Sequence, residues 1–542
     1  MSNYKNSRFY ILLPVLLAVT LAIGILTGAT VVDPDKGSGS VISNFLKFRE
    51  ILTYIERDYV DEVDSEKLVE GAINHMLSDL DPHSVYIPAE DSKLAKSQLE
   101  GEFDGIGIEF NIIKDTIYVV APISGGPSEK VGIQSGDKIV TVDNKTIAGT
   151  NITNKDVFNL LRGPKGSEVL LGIKRRGSEE LLDFEVTRDR IPQYSVDVNY
   201  MVNKEIGYIK VSRFSAHTYE EFKQALTKLK AEGMKKLILD LQGNPGGYMD
   251  RAINMADEFI AGDKMIVYTD GKQDRYDSEA RAYRKGIFEE GPLIILIDEG
   301  SASASEIVSG AIQDNDRGII VGRRSFGKGL VQMPIDLDDG SELRLTISRY
   351  YTPSGRSIQK PYDSTNTDYA LDIMNRYDHG ELFNADSIHF IDSLKYKTSK
   401  GRTVYGGGGI MPDYFVPFDT TMNSPYLNKL FTSNAFREYT LKYYEQNKDE
   451  LNKMDYKDYR NDFKVTEGML KNLIALAEKS GVTFNEEEFQ KSKPLLKNYI
   501  KAYIARSVWS NEGYYPIINE TNEAFQEALT LFDKAAELAS RE

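Results

Sequence analysis

PLIILIDEGSASASEIVSGAIQDNDRGIIVGRRSFGKGLVQ, residues 292–332, decides how the rest of the chain is read. It begins with an unbroken apolar run over residues 293–297. A run that short and continuous suits a strand buried on both faces, as in a parallel sheet covered by helices. A turn of small residues follows. Ala304, Ile307, Val308, Ala311 and Ile312 then recur at helical spacing, which predicts a helix over residues 304–314. GIIVG, residues 318–322, is the next strand. Strand, turn, helix, strand is the repeating unit of an α/β layer.

The turn is SASAS, residues 301–305. A serine at a strand-to-helix junction can face solvent beside the unpaired amides of the helix N-terminus, where negative charge is favoured. Ser303 holds the central position. Ser303 and Glu306 also have the spacing of a capping box, a purely structural role, and Ser301 and Ser305 compete for either part. A nucleophilic serine needs a base. The five histidines, His75, His83, His217, His379 and His389, are scattered singly, and none adjoins the turn. A lysine can serve if burial strips its charge, because desolvation pushes its pKa down from about 10.4. Lys328 lies between two glycines in SFGKGL, and Gln332, four residues on, could orient an amine without adding charge. Residues 322–328 also match GxxxxGK. Gly329 stands where a phosphate loop needs Ser or Thr, and the residues beyond read as a strand rather than a helix, so nucleotide binding is disfavoured. DLQGNPGG, residues 240–247, follows another buried run. Its glycines can present bare amides to an oxyanion, or simply make a turn.

Working outward, residues 191–361 alternate strand and helix. Residues 94–190 read as short strands with glycine turns and one helix near 156–161, a small β-barrel-like module. Residues 33–93 hold a short linker and a helical region with Phe45, Phe48, Ile51, Leu52 and Ile55 at helical spacing. Residues 362–409 form a polar insertion ending in four glycines, residues 410–423 return to the core, and residues 424–542 are mostly helical. Leu427, Leu430 and Phe431 are predicted core there, and Trp509 with Tyr514 and Tyr515 pack either internally or at a dimer contact. Asp378, His379, Asp386 and His389 in the insertion lack metal-ligand spacing and read as solvated loop residues.

Residues 9–32 carry no charge and follow Lys5 and Arg8. The run exceeds the about 7–15 residues of a signal-peptide core and suits a spanning helix of about 20. Residues 1–32 are therefore expected to be a membrane anchor, with a long cleaved signal as the alternative. The basic flank places the remainder outside the cytoplasm, on the periplasmic side of an inner membrane. Of the 542 residues 41% are apolar and 27% charged, which excludes wholesale disorder. The net charge of −16 disfavours nucleic acid as a partner. The absence of cysteine removes disulfides, thiolate zinc sites and thiol nucleophiles.

Nine blocks stand in order along the chain: DPHSVYI, GIGIEF, PISGGPSEKVGIQSGDKIVTVD, LRGPKG, DLQGNPGG, SASASEI, FGKGLVQ, YYTPSGRSIQ and GGGGIMPD. Together they resemble the carboxyl-terminal processing peptidases, also called tail-specific serine proteases, over residues 46–417. The resemblance implies a multidomain α/β serine-peptidase core, a PDZ-like β module inserted in or preceding it, and helical N- and C-terminal regions. It implies Ser303 as nucleophile, Lys328 as general base and Gln332 as its positioning partner. It also implies an oxyanion hole from the Ala304 amide and that of Gly246 or Gly247. Such chemistry needs no metal or cofactor. The β module resembles a PDZ domain, which implies that Gly105, Ile106, Gly107 and Ile108 receive the terminal carboxylate of a protein or peptide tail. One departure is Gln242, where members of the family often carry arginine. The rival reading is a catalytically inactive PDZ adaptor on a protease fold; a histidine-based hydrolase using His217 is a third. Helical regions at both ends leave a homo-oligomer open.

Overall fold

The computed structural model describes residues 14, 18–21, 38–123, 125–362, 367–388 and 392–540. Most of the expected anchor, and His389, lie outside these residues. Among the described residues no helix is long and apolar enough to cross a membrane. The chain divides into two units, residues 1–77 and 78–542. The described part of the first holds α1 (Ser38–Asp58) and the bulk of α2 (Ser65–Ser78).

The second unit begins with β1 (Val85–Ile87), α3 (Ala89–Glu100) and β2 (Glu102–Gly105). The β module follows: β3 (Ile108–Ile112), β4 (Ile117–Pro122), α4 (Pro127–Lys130), β5 (Lys138–Val142), β6 (Lys145–Thr146), α5 (Asn154–Leu161), β7 (Glu168–Lys174) and β8 (Leu182–Thr187). Its sheet runs β3-β4-β5-β7-β8, with β6 on β5, around a core of Ile117, Val119, Ile139, Leu171 and Ile173. β9 (Asp189–Pro192) pairs with β2, so module entry and exit form one two-stranded ribbon.

The core comprises β10 (Val196–Met201), β11 (Ile206–Val211), α6 (Thr218–Ala231), β12 (Lys236–Asp240), α7 (Met249–Asp257), β13 (Met265–Gly271) and β14 (Ser278–Arg281). It continues with β15 (Leu293–Ile297), α8 (Ala304–Asp314), β16 (Ile319–Gly322), β17 (Leu330–Asp336) and β18 (Glu342–Tyr351). The single layer read from sequence is in fact two sheets. One runs β10-β11-β12-β15-β16 and ends in β21 (Tyr414–Phe415), parallel from β11 onward. The other is β1-β18-β13-β14 with β17 on β18. The glycine loop that resembled a phosphate loop leads into strand β17.

The parallel strands are mostly apolar because both faces are covered, and the charges they bury, Lys210 and Asp240, pair with each other at 2.8 Å. α6, α7 and α8 pack on one face, burying Phe222, Leu226, Met255 and Ile307 against Leu237, Leu239 and Ile295. The other face, with Tyr208, Ile238, Ile294 and Leu296, is covered by Phe525, Ala528, Phe532 and Ala535. These four belong to α15 (Glu523–Thr530) and α16 (Phe532–Ser540), the last helices of the chain, preceded by α10 (Pro425–Thr432), α11 (Ala435–Leu451), α12 (Tyr456–Asp462), α13 (Glu467–Lys479) and α14 (Glu486–Ile518). Leu427 and Leu430 are buried and Phe431 half-buried, as expected. Trp509 packs internally, 5.0 Å from the Tyr459 ring and 5.4 Å from Tyr456.

The polar insertion is more tightly held than its composition suggests. It contains α9 (Thr367–Asp378) and the hairpin β19 (Lys395–Lys397) and β20 (Thr403–Tyr405). Glu381 receives a two-pronged ion pair from Arg324, and Arg402 bonds both Asp316 and Asp413. His379 is exposed.

Candidate active site

Parallel α/β sheets place their sites beyond the carboxyl ends of the strands, where loops diverge. Here the loops after β12 and β15 meet. The three serines of the turn separate cleanly. Ser301 is buried, donating to the Leu241 carbonyl at 2.9 Å and accepting from the Asp298 amide. Ser305 is buried, donating to the Asn244 carbonyl at 2.9 Å. Ser303 is partly exposed and lines a cleft of about 950 Å³. Its backbone sits at φ 55°, ψ −113°, a conformation costly for a residue with a Cβ, of order 1–3 kcal/mol.

What holds it there is Glu306, fully buried. Its carboxylate accepts the Ser303 amide at 2.8 Å, half of the capping box expected from the spacing. It also accepts the Ser325 hydroxyl at 2.5 Å and the amides of Gly327 and Lys328 at 2.7 and 2.9 Å. One side chain thus fastens the serine turn to the lysine loop. Burial pushes its pKa up, against those four donors. Tyr350, also buried, directs its hydroxyl at the Ser303 carbonyl, 3.1 Å away, and at the Lys328 carbonyl.

Lys328 lines the same cleft and has no ion pair among the described residues. Burial lowers its pKa; Glu306 opposes the shift, Arg344 adds to it and Asp81 opposes it. Gln332 also lines the cleft, at a β-bulge in the β17–β18 pairing. Its Nε2 donates to the Thr346 hydroxyl at 3.1 Å, which in turn donates to the Asp81 carboxylate at 3.1 Å.

Gly246 and Gly247 stand opposite the turn. A Cβ on Gly246 would lie 2.8 Å from that of Ser303 and 2.9 Å from the Ala304 nitrogen; on Gly247 it would strike the Phe214 carbonyl at 2.0 Å. Both have positive φ, so both positions require glycine. The Gly246 amide is occupied, donating to Asn244 Oδ1 at 2.9 Å. Those of Gly247 and Ala304 have no partner among the described residues. Gln242, the departure noted above, accepts from Asn522 of the C-terminal region at 3.0 Å.

Sequence reasoning did not single out Glu306 beyond its capping part, nor Tyr350, Thr346 or His83. His83 lines the cleft, bonded to the Tyr369 hydroxyl at 2.6 Å, with its pKa lowered to about 4 by burial and then by Lys328. The DPHS block that carries it was visible; its distant destination was not. His217 lies at the start of α6 and does not line the cleft.

The β module presents a second concavity, about 720 Å³, between edge strand β3 and α5. Ile106, Gly107 and Ile108 line it, with Val157, Phe158 and Leu161 opposite. Gly105 lies one step back, at the end of β2, paired with Asp189.

Comparison with known proteins places the chain in a family. Peptidase family S41 matches residues 205–369 and a PDZ domain matches 118–175. The N-terminal domain of the activating protease CtpB matches 26–91, and a family of unknown function matches 426–510. A carboxy-terminal-processing protease of Bartonella bacilliformis is 40% identical over 317 residues, 58% of this chain and 72% of that protein. The carboxy-terminal processing protease CtpB of Bacillus subtilis is 37% identical over 320 residues, 58% and 65% of the two chains. CtpA of the same organism is 34% identical over 353 residues, 65% and 74%. The fold is that of an S41-type peptidase carrying a PDZ domain. The chain belongs to the carboxy-terminal processing serine protease family.

Proposed function

We propose that this protein is a serine endopeptidase that takes the C-terminal tails of protein substrates through its PDZ domain and cuts peptide bonds with Ser303, Lys328 and Gln332. The observation that carries this reading is the lysine: half-buried in the cleft, without a carboxylate partner among the described residues, its main chain fixed to that of Ser303 through Glu306 and Tyr350. Neutral Lys328 takes the Ser303 hydroxyl proton as the oxygen attacks the substrate carbonyl. The amides of Ala304 and Gly247 receive the oxyanion. The leaving amine takes the proton from Lys328, and water then cleaves the acyl-enzyme with the same lysine as base. Gln332, steadied by Thr346 and Asp81, bounds the space the amine occupies.

Peptide hydrolysis by the wild type and by Ser303→Ala and Lys328→Ala proteins tests this. Full activity in either variant rejects the assignment. Labelling of Ser303 by a fluorophosphonate separates the peptidase from the inactive adaptor. We further propose that residues 1–32 tether the chain to the inner membrane with its domains on the periplasmic side. Cell fractionation and protease accessibility check this, and sedimentation of the full chain checks self-association.

A further inference from the structure

Resting on the tail-binding reading, we propose that the groove beside β3 selects acidic tails, and that Arg437 of the helical C-terminal region is the residue that reads them. The charged side chains lining the groove are Glu109, Arg162, Arg213 and Arg437. Glu109 is neutralised by Arg506 at 2.9 Å, itself from the C-terminal region. None of the three arginines has an ion pair among the described residues. Arg162 lies flat against Phe103 and Phe158, 4.4 and 4.6 Å from their ring centres, its Nε buried without a hydrogen-bond partner. A chain with net charge −16 therefore keeps, among the described residues, three guanidinium groups without a carboxylate partner around one open groove. Charge complementarity names an anionic occupant.

The register says where the acids belong. β3 is an edge strand, bonded only to β4, so a tail can add to its free side. Ile108, Phe110 and Ile112 face the apolar core of the module, which puts Glu109 and Asn111 on the opposite face. Arg437 lines a second, smaller cavity with Glu109 and Asn111. Side chains of an added strand share faces with those of its neighbour. With the last residue pointing toward Phe158 and Leu161, the penultimate and fourth-from-last residues point toward Arg437. Acids at those two positions meet it, and Arg213 extends the positive wall. Lys114 bonded to Glu438 at 2.5 Å holds α11, and with it Arg437, against the module.

The test uses the full chain with Ser303→Ala and fluorescein-labelled ten-residue peptides. These share one apolar last residue and carry Glu, Ser or Lys at the penultimate and fourth-from-last positions, each with a free or amidated C-terminus. Anisotropy should show the Glu peptide binding about tenfold tighter than the Ser peptide, since partly exposed charge pairs each contribute a few-fold. High salt should erase the difference, and Arg437→Glu should reverse the Glu–Lys order. Free-carboxylate binding with equal Kd for all three peptides overturns the acid preference and leaves tail recognition standing. Preference for Glu that survives unchanged in Arg437→Glu overturns the assignment to Arg437. Equal binding of free and amidated peptides overturns the tail reading and this inference with it. Arg437 is exposed, so circular dichroism should show both proteins equally folded.

Discussion

The cleft at Ser303 and the groove beside β3 treat polar atoms in opposite ways. In the cleft nearly every group near the turn is occupied: Glu306 takes four donors, Ser301 and Ser305 are bonded internally, and Tyr350 bridges two carbonyls. Among the described residues near the turn, the amine of Lys328 and the amides of Ala304 and Gly247 are left without a partner. In the groove the arginines are partly solvated and have no carboxylate partner among the described residues. A site that must place a few atoms within fractions of an ångström fixes everything around them. One that must accept many sequences keeps its charges free and lets the incoming strand supply the partners.

Breaking the cleft should therefore cost rate and not tail affinity. Ser303→Ala or Lys328→Ala should lower kcat/KM by about 10⁴-fold or more, with peptide Kd by anisotropy unchanged within about twofold. Comparable losses in both measurements would mean the sites are not separable. Glu306→Ala should be the most destabilising change in the cleft, by about 3 kcal/mol, because it leaves buried donors orphaned. Urea denaturation reads this directly, and Arg437→Ala in the same assay should shift stability by less than about 0.5 kcal/mol.

Acidity should also divide the two regions. The pKa of Lys328 is lowered by burial, so its neutral form exists at lower pH than for an ordinary lysine and is lost as the pH falls through that lowered value. kcat/KM should fall about tenfold per pH unit on the acid side, while tail affinity, resting on arginines that do not titrate, stays flat over pH 6.5–9. A rate that rises as the pH falls would reject Lys328 as the base. The smallest effect on rate is expected at Thr346→Val, which frees Gln332 from its link to Asp81. kcat should drop about tenfold with KM little changed; a change confined to KM would mean the link serves binding instead.

The strands at 236–240 and 293–297 and the helix at 304–314 were legible because burial imposes a period on apolar residues, and a period is local. The Ser303, Lys328 and Gln332 blocks were legible as a set. Glu306 was legible only as a cap, since its spacing to Ser303 is local while Ser325, Gly327 and Lys328 lie beyond the helix. His83 reaches the cleft from ahead of the β module in sequence, and Asn522 crosses from the C-terminal region to Gln242. No pattern of spacing encodes such meetings.

The order of residues alone determined which segments would be buried strands, which would be helices, and that a serine and a lysine would sit at turns between them. Three features belonged to the folded chain: Ser303 rather than Ser301 or Ser305 as the serine that faces the cleft, Gly247 rather than Gly246 with an amide unpartnered among the described residues, and the last two described helices as the cover of the sheet's second face. The reason is physical. Hydrophobic periodicity reports that a side chain leaves water, whereas a hydrogen bond or a strained backbone depends on which distant group arrives beside it.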